Sequence, residues 1–244
     1  MGPSPSSSNG HFVTCLLVME PSPLNMTISW YGHSCFRIEA KEGPSTGSGQ
    51  VSILIDPFSK DIGLRPPKIK DDIILVSHQH YDHNNTDDAN PEAFIISTPG
   101  EFEKRGVMIK GILSYHDKTE GRERGINTIY VIKSEDINIC HLGDFGQDQI
   151  TNEQIEAIGD VDILMIPVGG NYTINAKEAV DVISHIEPKI IVPMHFKLPG
   201  LTVDIDEPEK FMKEIGLTPE KVDKFKVAKK TLPAEEMKLV MFNF

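Results

Sequence analysis

The chain has 244 residues, with 24 lysines and arginines against 36 aspartates and glutamates, a net charge of −12. That acidity argues against a polyanion-binding surface, and so against a nucleic-acid partner, although bound metal ions add local positive charge that the count omits. Its three cysteines, Cys15, Cys35 and Cys140, are far apart and form no Cys-x-x-Cys, which argues against a disulfide scaffold or a structural zinc knot and points to a reducing cytoplasm.

Residues 1–25 stand apart from the rest. Positions 1–10 are rich in Gly, Pro and Ser, a composition that buries too little apolar surface to fold. The apolar run at 12–19 is too short to span a bilayer. It has neither a basic segment before it nor a small-residue cleavage site after it. We read 1–25 as a disordered or non-native leader, and 26–244 as one domain without a membrane segment.

Within that domain, residues 26–30 and 35–39 alternate like two strands around a Tyr-Gly-His turn. Residues 42–50 form a hairpin loop, 51–55 the next strand, and 59–70, with two prolines, an irregular crossover. Residues 72–76, an aspartate followed by four apolar residues, read as a buried strand, and 87–93 could hold a short helix. Strands follow at 94–97, 107–112 and 128–132, with a turn at Pro99-Gly100 and a polar loop at 117–127. Residues 137–140 are a further strand. A helix at 152–158 carries Thr151 as its cap, with Gln154 at the reciprocal position. Strands at 162–166 and 189–192 flank a helix at 175–186, whose apolar face is Ala176, Ala179, Val180, Val182 and Ile183. A helix at 208–215 and a strand at 238–242 close the chain. Periodicity alone gives mixed α and β.

The segment His78-Gln79-His80-Tyr81-Asp82-His83 packs three imidazoles and a carboxylate into six residues. These are the ligands that divalent metals take where a site must also do chemistry. The segment leaves the end of the buried strand at 72–76, where functional residues are usually held. Other apolar runs end in the same way: His116 follows 112–115, His141 and Asp144 follow 137–140, and His195 follows 190–194. Ligands delivered from several strand ends converge on one edge of a sheet.

His78-x-His80-x-Asp82-His83, then His116, Gly143-Asp144 and Pro193-Met194-His195, resembles the metallo-β-lactamase superfamily, as do 30–36 and 54–57 at its opening strands. The likeness runs from about residue 26 to the end. His-Leu-Gly-Asp at 141–144 and Ile-Pro-Val-Gly-Gly at 166–170 are similar to the small stand-alone hydrolases that group with ascorbate-6-phosphate lactonase. The resemblance implies an α+β fold, a four-layer αββα sandwich of two mixed sheets with helices on the outer faces. It further implies two divalent metal ions. His78, His80 and His116 hold one, Asp82, His83 and His195 the other, and Asp144 bridges them. Zinc comes first for this nitrogen and oxygen set, with manganese or iron(II) as alternatives. A water or hydroxide between the ions, with Asp82 and Asp144 as the catalytic carboxylates, cleaves a small ester, lactone or phosphoester.

Asp56 resembles the superfamily's early aspartate, which orients a metal-binding histidine; as a residue type it could equally be a strand-end turn. His33 is near the site by resemblance, as a substrate contact or a local hydrogen-bonding group. His141 reads as supporting or structural, while His11 and His185 look incidental. Asn127, Asn171 and Tyr172 sit on loops of the expected rim, where asparagine is usually a turn residue.

The expected activity is therefore a cytoplasmic metal-dependent hydrolase of a small, anionic substrate. A nuclease or phosphodiesterase of the same fold is the alternative, disfavoured by the acidic charge. A di-iron oxidoreductase is disfavoured because its relatives carry a glutamate where this chain has His80. A non-catalytic metal-binding protein is disfavoured by the intact ligand set. β-Lactam cleavage is not indicated, since lactamases of this fold are exported.

Overall fold

A computed structural model describes residues 1–2, 26–43 and 47–244. The leader, with Cys15 and His11, and part of the expected hairpin loop lie outside the described residues. The first strands are β1 (Met26–Trp30), β2 (Phe36–Lys41), β3 (Gln50–Ile55), β4 (Ile73–Leu75) and β5 (Phe94–Ile96). They are followed by β6 (Gly100–Lys104), β7 (Val107–Tyr115), β8 (Ile126–Ser134), β9 (Ile137–His141), β10 (Ile163–Pro167) and β11 (Ile190–Met194). The last are β12 (Pro219–Val222), β13 (Phe225–Val227) and β14 (Lys238–Phe242); the helices are α1 (Asn152–Ile158), α2 (Ala176–Ile186) and α3 (Glu209–Ile215).

Two mixed sheets form, in the orders β13-β1-β2-β3-β4-β5 and β12-β14-β11-β10-β9-β8-β7-β6. Strand alternation divides the core between them. Ile53, Ile55, Tyr130, Ile139, Ile163, Met165 and Val192 belong to a cluster shared by both sheets, and this is the sandwich interior. The intervening residues Cys140, Leu164, Ile166, Ile191 and Leu239 face the other way, into a second cluster with Ile158 of α1, Ala179, Val182 and Ile183 of α2 and Phe211 of α3. The α-helices thus cover the outer face of the second sheet. Leu54, on the outward face of β3, joins the same cluster with Phe58, Ile62 and Leu64. That stretch contains only a 3-10 turn, Lys60–Ile62, so the cover there is irregular, as the two prolines of the crossover imply.

Helix ends follow from their caps. Thr151 and Gln154 make the reciprocal capping box of α1, and Asn175 with Glu178 makes that of α2. The short helix expected at 87–93 does not form. Ala89 N donates to Thr86 O (2.9 Å) and Ala93 N to Asn90 O (2.8 Å), which are two separate turns. Pro91 between them has no N–H to continue a helix. The turn expected at Pro99-Gly100 opens directly into β6, and β8 begins at Ile126, so Asn127 lies in a strand and not in the loop.

The connectivity sets where the ligands emerge. β3, β4 and β5 run parallel, as do β9, β10, β11 and β14. β7 is antiparallel to β8, and β8 to β9, so β7 and β9 share a direction. The C-terminal ends of β3, β4, β7, β9 and β11 therefore open on one edge of the sandwich, where such sheets place their ligand sites.

Candidate metal centre

Each strand end contributes one part. Asp56 follows β3, residues 77–83 follow β4, His116 follows β7, Asp144 follows β9 and His195 follows β11. His33 comes from the turn between β1 and β2. Six of the seven residues expected as ligands fall into groups of close ligand atoms; Asp82 falls in none, its Oδ2 being bonded to His33, which stands beside His83 and His195 where Asp82 was expected. His78, His80 and His116 form one group whose ligand atoms lie within 4.8 Å of one another. His33, His83 and His195 form a second such group, and His78, His83 and Asp144 a third.

Asp144 is the hub. Its Oδ2 lies 3.3 Å from His116 Nε2 and 3.8 Å from His78 Nε2. It also lies 3.3 Å from His83 Nε2 and 3.1 Å from His195 Nε2. Asp82 approaches the same centre, its Oδ2 3.7 Å from His83 Nε2 and 3.1 Å from His33 Nε2. Asp144, His78, His83, His116 and His195 are buried, while His80 is half-buried at the mouth.

The hydrogen bonds behind the cluster fix which nitrogen of His83 and of His78 carries its proton. Asp56 Oδ1 accepts from Ser77 N (2.7 Å), and Oδ2 accepts from Ser77 Oγ (2.7 Å) and His83 Nδ1 (3.0 Å). His83 therefore carries its proton on Nδ1 and turns the Nε2 lone pair toward Asp144. The Ser77 hydroxyl has one hydrogen, and Asp56 takes it. His78 Nδ1, 2.9 Å from Ser77 Oγ, must then be the donor, which leaves His78 Nε2 with its lone pair in the site. A carboxylate behind a metal-binding imidazole does this in metal sites generally.

His141 does the reverse. Its Nδ1 accepts from Gly143 N (3.1 Å) and its Nε2 lies 3.0 Å from the Ser34 carbonyl, to which it donates. Neither nitrogen is free, so His141 pins the Gly143-Asp144 turn to the first sheet. Asn127 supports the same turn: Oδ1 accepts from Asp144 N (3.0 Å), and Nδ2 donates to Leu142 O (2.8 Å) and Ser114 Oγ (2.7 Å). The rim position expected for Asn127 is corrected by its place in β8, where it is fully buried.

His33 is fully buried, and its Nε2 makes the local bond to Asp82. Its carbonyl accepts from Trp30 Nε1 (3.0 Å) and His195 N (3.1 Å), which ties the first sheet to the end of β11. His33, Asp56 and His195 all have left-handed backbones, with φ of 53°, 46° and 52°, a conformation that side chains other than glycine adopt rarely.

The electrostatics call for cations. Burial by itself would raise the Asp144 carboxyl, but His195 and His83 more than reverse this and hold it well below the usual range. Burial would likewise lower His83, and Asp144 and Asp82 instead raise it well above an ordinary imidazole, so that without a cation its Nε2 also holds a proton, and the lone pair turned toward Asp144 is the one a metal ion would expose by displacing that proton. Burial and His83 push His78 well below, and burial and His195 push His33 down to about 4. Among the described residues, eight buried side-chain atoms lack a hydrogen-bond partner, and six of them are here: His78 Nε2, His83 Nε2, Asp144 Oδ1, and Nδ1 of His33, His116 and His195. A buried unpaired polar atom costs about 1–3 kcal/mol. A concentration of lone pairs around buried carboxylates is the donor set a divalent ion satisfies, so the residues present fit the metals that the resemblance implies.

A cleft of about 430 Å³ opens on this cluster, lined by His80, Asp82, Asp144 and His195 together with Tyr81, Tyr172, Arg124 and 202–204. Tyr172 lies at the rim, as expected. Asn171 donates to the Asp204 carbonyl (2.6 Å) and acts as a loop tie. His185 is exposed on α2, away from the site. Arg124 and Tyr81 were not singled out from the sequence; no local signal marks either.

The beta-lactamase superfamily domain model matches residues 27–195. A UPF0173 metal-dependent hydrolase of Thermoplasma volcanium is 33% identical over 211 residues, which is 71% of this chain and 84% of that protein. The crystal structure of a Thermotoga maritima protein, described as a candidate zinc-dependent hydrolase of the metallo-β-lactamase superfamily, is 32% identical and superposes with a TM-score of 0.71 over 89% of this chain and 98% of that one. A metallo hydrolase of Ignicoccus hospitalis, 19% identical, shares the fold with a TM-score of 0.57 over 79% of this chain and 91% of that one. With its ligand-bearing strand ends on one edge of a two-sheet sandwich, the chain belongs to the metallo-β-lactamase superfamily, among the UPF0173 metal-dependent hydrolases.

Proposed function

We propose that this enzyme hydrolyses a small ester, lactone or phosphoester with two divalent ions. His78, His80 and His116 hold one, Asp82, His83 and His195 hold the other, and Asp144 lies between them. The observation that carries this reading is the Asp144 Oδ2 atom, within 3.8 Å of one imidazole pair, His78 and His116, and within 3.3 Å of the other, His83 and His195. A single oxygen so placed suits a bridging carboxylate. Five imidazoles and two carboxylates suit zinc first, and manganese or iron next.

Two such ions supply what the side chains lack: acidification of water to near neutral pH, and neutralisation of the charge that develops on the attacked oxygen. The chain's own groups do the rest. Asp56, through Ser77 and His83, keeps two lone pairs aimed into the site. His141 and Asn127 hold the turn that presents Asp144. His33 holds one oxygen of Asp82, and with it the wall of the cleft. Asp82 and Asp144 are the carboxylates that reach the reacting centre, where they accept hydrogen bonds from an attacking water and orient it. The cleft, at the small end of ligand pockets, suits a small molecule better than a polymer. Among the described residues no helix is long and apolar enough to cross a membrane. The buried thiols Cys35 and Cys140 suit a reducing cytoplasm.

Metal analysis of protein purified without chelators tests this reading. We expect close to two ions per chain, fewer in Asp144→Ala and Asp144→Asn, with circular dichroism checking that each variant folds. Hydrolysis across a panel of lactones, phosphodiesters and thioesters should stop on chelation and return with zinc or manganese. A wild-type protein that neither carries nor takes up metal, or activity that survives its removal, would overturn the proposal.

A further inference from the structure

His116 leads directly into a loop that one carboxylate organises. Asp117, 3% exposed, accepts on Oδ1 from Thr119 N (2.8 Å), Thr119 Oγ1 (2.8 Å) and Gly121 N (2.9 Å). On Oδ2 it accepts from Glu123 N (3.1 Å) and Arg124 N (2.8 Å). Gly125 closes the loop, its carbonyl accepting from His116 N at 3.1 Å. On the outside, Lys118 pairs with Glu178 in the first turn of α2 and with Asp148. A loop so fastened sets its last residue as firmly as its first.

That last residue is Arg124, which lines the cleft beside His80, Asp82 and Asp144. Its guanidinium carbon lies 5.3 Å from the centroid of the Tyr172 ring. Arg37 and Arg105 are each engaged by carboxylates, Asp71 for the first and Glu42 and Asp72 for the second. Among the described residues the Arg124 side chain has no hydrogen bond or ion pair. Asp82 and Asp144 turn to imidazoles instead, and Asp204 lines the same cleft without pairing with it. In a chain of net charge −12, this half-buried arginine at the mouth of a polar cleft keeps its donors open to whatever enters the cleft. The Tyr172 ring beneath the guanidinium carbon gives it a cation–π contact that uses none of its N–H groups, which leaves them for a planar oxyanion.

We propose that Arg124, backed by Tyr172, anchors a second, non-reacting anionic group of the substrate, a carboxylate or a phosphate monoester, while the scissile bond lies against Asp82 and Asp144. The placement of the scissile bond rests on the hydrolase reading above; the anion site itself does not. The test compares the metal-loaded wild type with Arg124→Gln and Arg124→Lys, after metal analysis shows equal loading. Two measurements are made: kcat/KM for mono-4-nitrophenyl succinate against neutral 4-nitrophenyl acetate, and calorimetric binding of succinate and of glycerol 3-phosphate.

In Arg124→Gln the anionic-over-neutral ratio of kcat/KM should fall about tenfold or more, as expected for loss of a charge-assisted hydrogen bond. The dissociation constant of the anion that the wild type prefers should rise by a similar factor. The preferred anion tells carboxylate from phosphate. Arg124→Lys should recover part of the loss, since it keeps the charge without the planar fork. An unchanged ratio, equal binding of both anions by wild type and Arg124→Gln, or no binding of either anion to the wild type overturns the proposal. A metal-loaded wild type that turns over no ester of the panel, yet loses anion affinity on Arg124→Gln, would count against the hydrolase reading and leave the anion site standing.

Discussion

Asp56→Asn probes the whole centre by exchanging one oxygen for an NH2. Oδ1 must stay an oxygen, because Ser77 N donates to it at 2.7 Å. The amide nitrogen then takes the place of Oδ2, facing Ser77 Oγ and His83 Nδ1. As a donor it cannot accept from His83, so the imidazole moves its proton to Nε2, the atom aimed at Asp144. Ser77, now accepting from the amide, turns its hydrogen to His78 Nδ1, and His78 Nε2 is protonated in turn. Two of the lone pairs assigned to metals are lost together. In wild type the bonds to the carboxylate are present with and without metal; in the variant the metal-free protein has two bonds to a neutral amide, about 0.5–1.5 kcal/mol each, that must be given up to free both Nε2 lone pairs, a cost of about 1–3 kcal/mol in all. At about 1.4 kcal/mol per decade this is about 5- to 150-fold in metal affinity, which spans the roughly 10- to 100-fold typical of residues behind a metal ligand. Competition against a chelating dye measures it, thermal melting shows whether the variant is folded, and nitrogen NMR of the imidazoles reads the tautomers. A folded Asp56→Asn that holds its ions within threefold of wild type, with His83 still protonated at Nδ1, would refute the proton assignment and with it the orienting role of Asp56.

Gly143 has φ of 59°, and a Cβ there would strike Asn127 Oδ1 and lie 2.7 Å from Ser77 Cβ; Gly143→Ala should cost about 2–4 kcal/mol from overpacking and left-handed strain, read by urea unfolding, and a neutral result would contradict the packing. Asn127→Ala leaves the Asp144 N–H and the Leu142 carbonyl unpaired in the interior, at about 1–3 kcal/mol each, and should lower both stability and metal content; full metal content in the variant would remove Asn127 from the support of Asp144. Asp162 accepts from Lys189 (2.7 Å), Lys229 (2.8 Å) and Asn138 N (3.0 Å). Burial would raise its carboxyl, but the two lysines more than reverse this and hold it below the ordinary 3.8. Its stabilisation is therefore complete above that value and disappears as pH falls through the lower, folded one. Asp162→Asn should cost about 1–2 kcal/mol at neutral pH, discounted because both lysines are half-exposed, and the gap from wild type in urea midpoints should narrow toward pH 3; the same gap at both pH values would show that the charge contributes nothing.

The fold was readable where apolar pattern and end signals agree. Thr151 and Gln154 bound α1 because their side chains serve the terminal N–H groups, and this works from sequence alone. Residues 72–76 and 162–166 announce buried strands because both of their faces are covered. β12 and β13 carry no such signal: Glu220, Lys221 and Lys226 face solvent at the borders of their sheets, and an edge strand kept polar against unwanted pairing reads as loop. The same holds for β6, with Glu101, Glu103 and Lys104. Asn127 was misplaced because a single asparagine before a strand suggests a turn, whereas the register of β8 against β7 and β9 makes it an interior support.

The centre itself divides along the same line. Imidazoles crowded into 78–83, and repeated after three further strands, betray themselves by residue type, since neither a core nor a surface gathers them without a ligand. The groups that aim and select are ordinary residues made special by position. Ser77 matters because its one hydrogen is claimed by Asp56. Gly143 matters because nothing larger fits between Asn127 and Ser77. Arg124 matters because Asp117 winds the loop that ends in it. These two layers are separable in principle: a chain that kept His78, His80, Asp82, His83, His116, Asp144 and His195 but lost Asp117 would still gather the same lone pairs, while the loop carrying Arg124 would lose five of its hydrogen bonds. Asp117→Ala should therefore lower the preference for the anionic ester as Arg124→Gln does, with metal content held, and a loss of metal without a change of preference would show that the loop serves His116 and not the substrate.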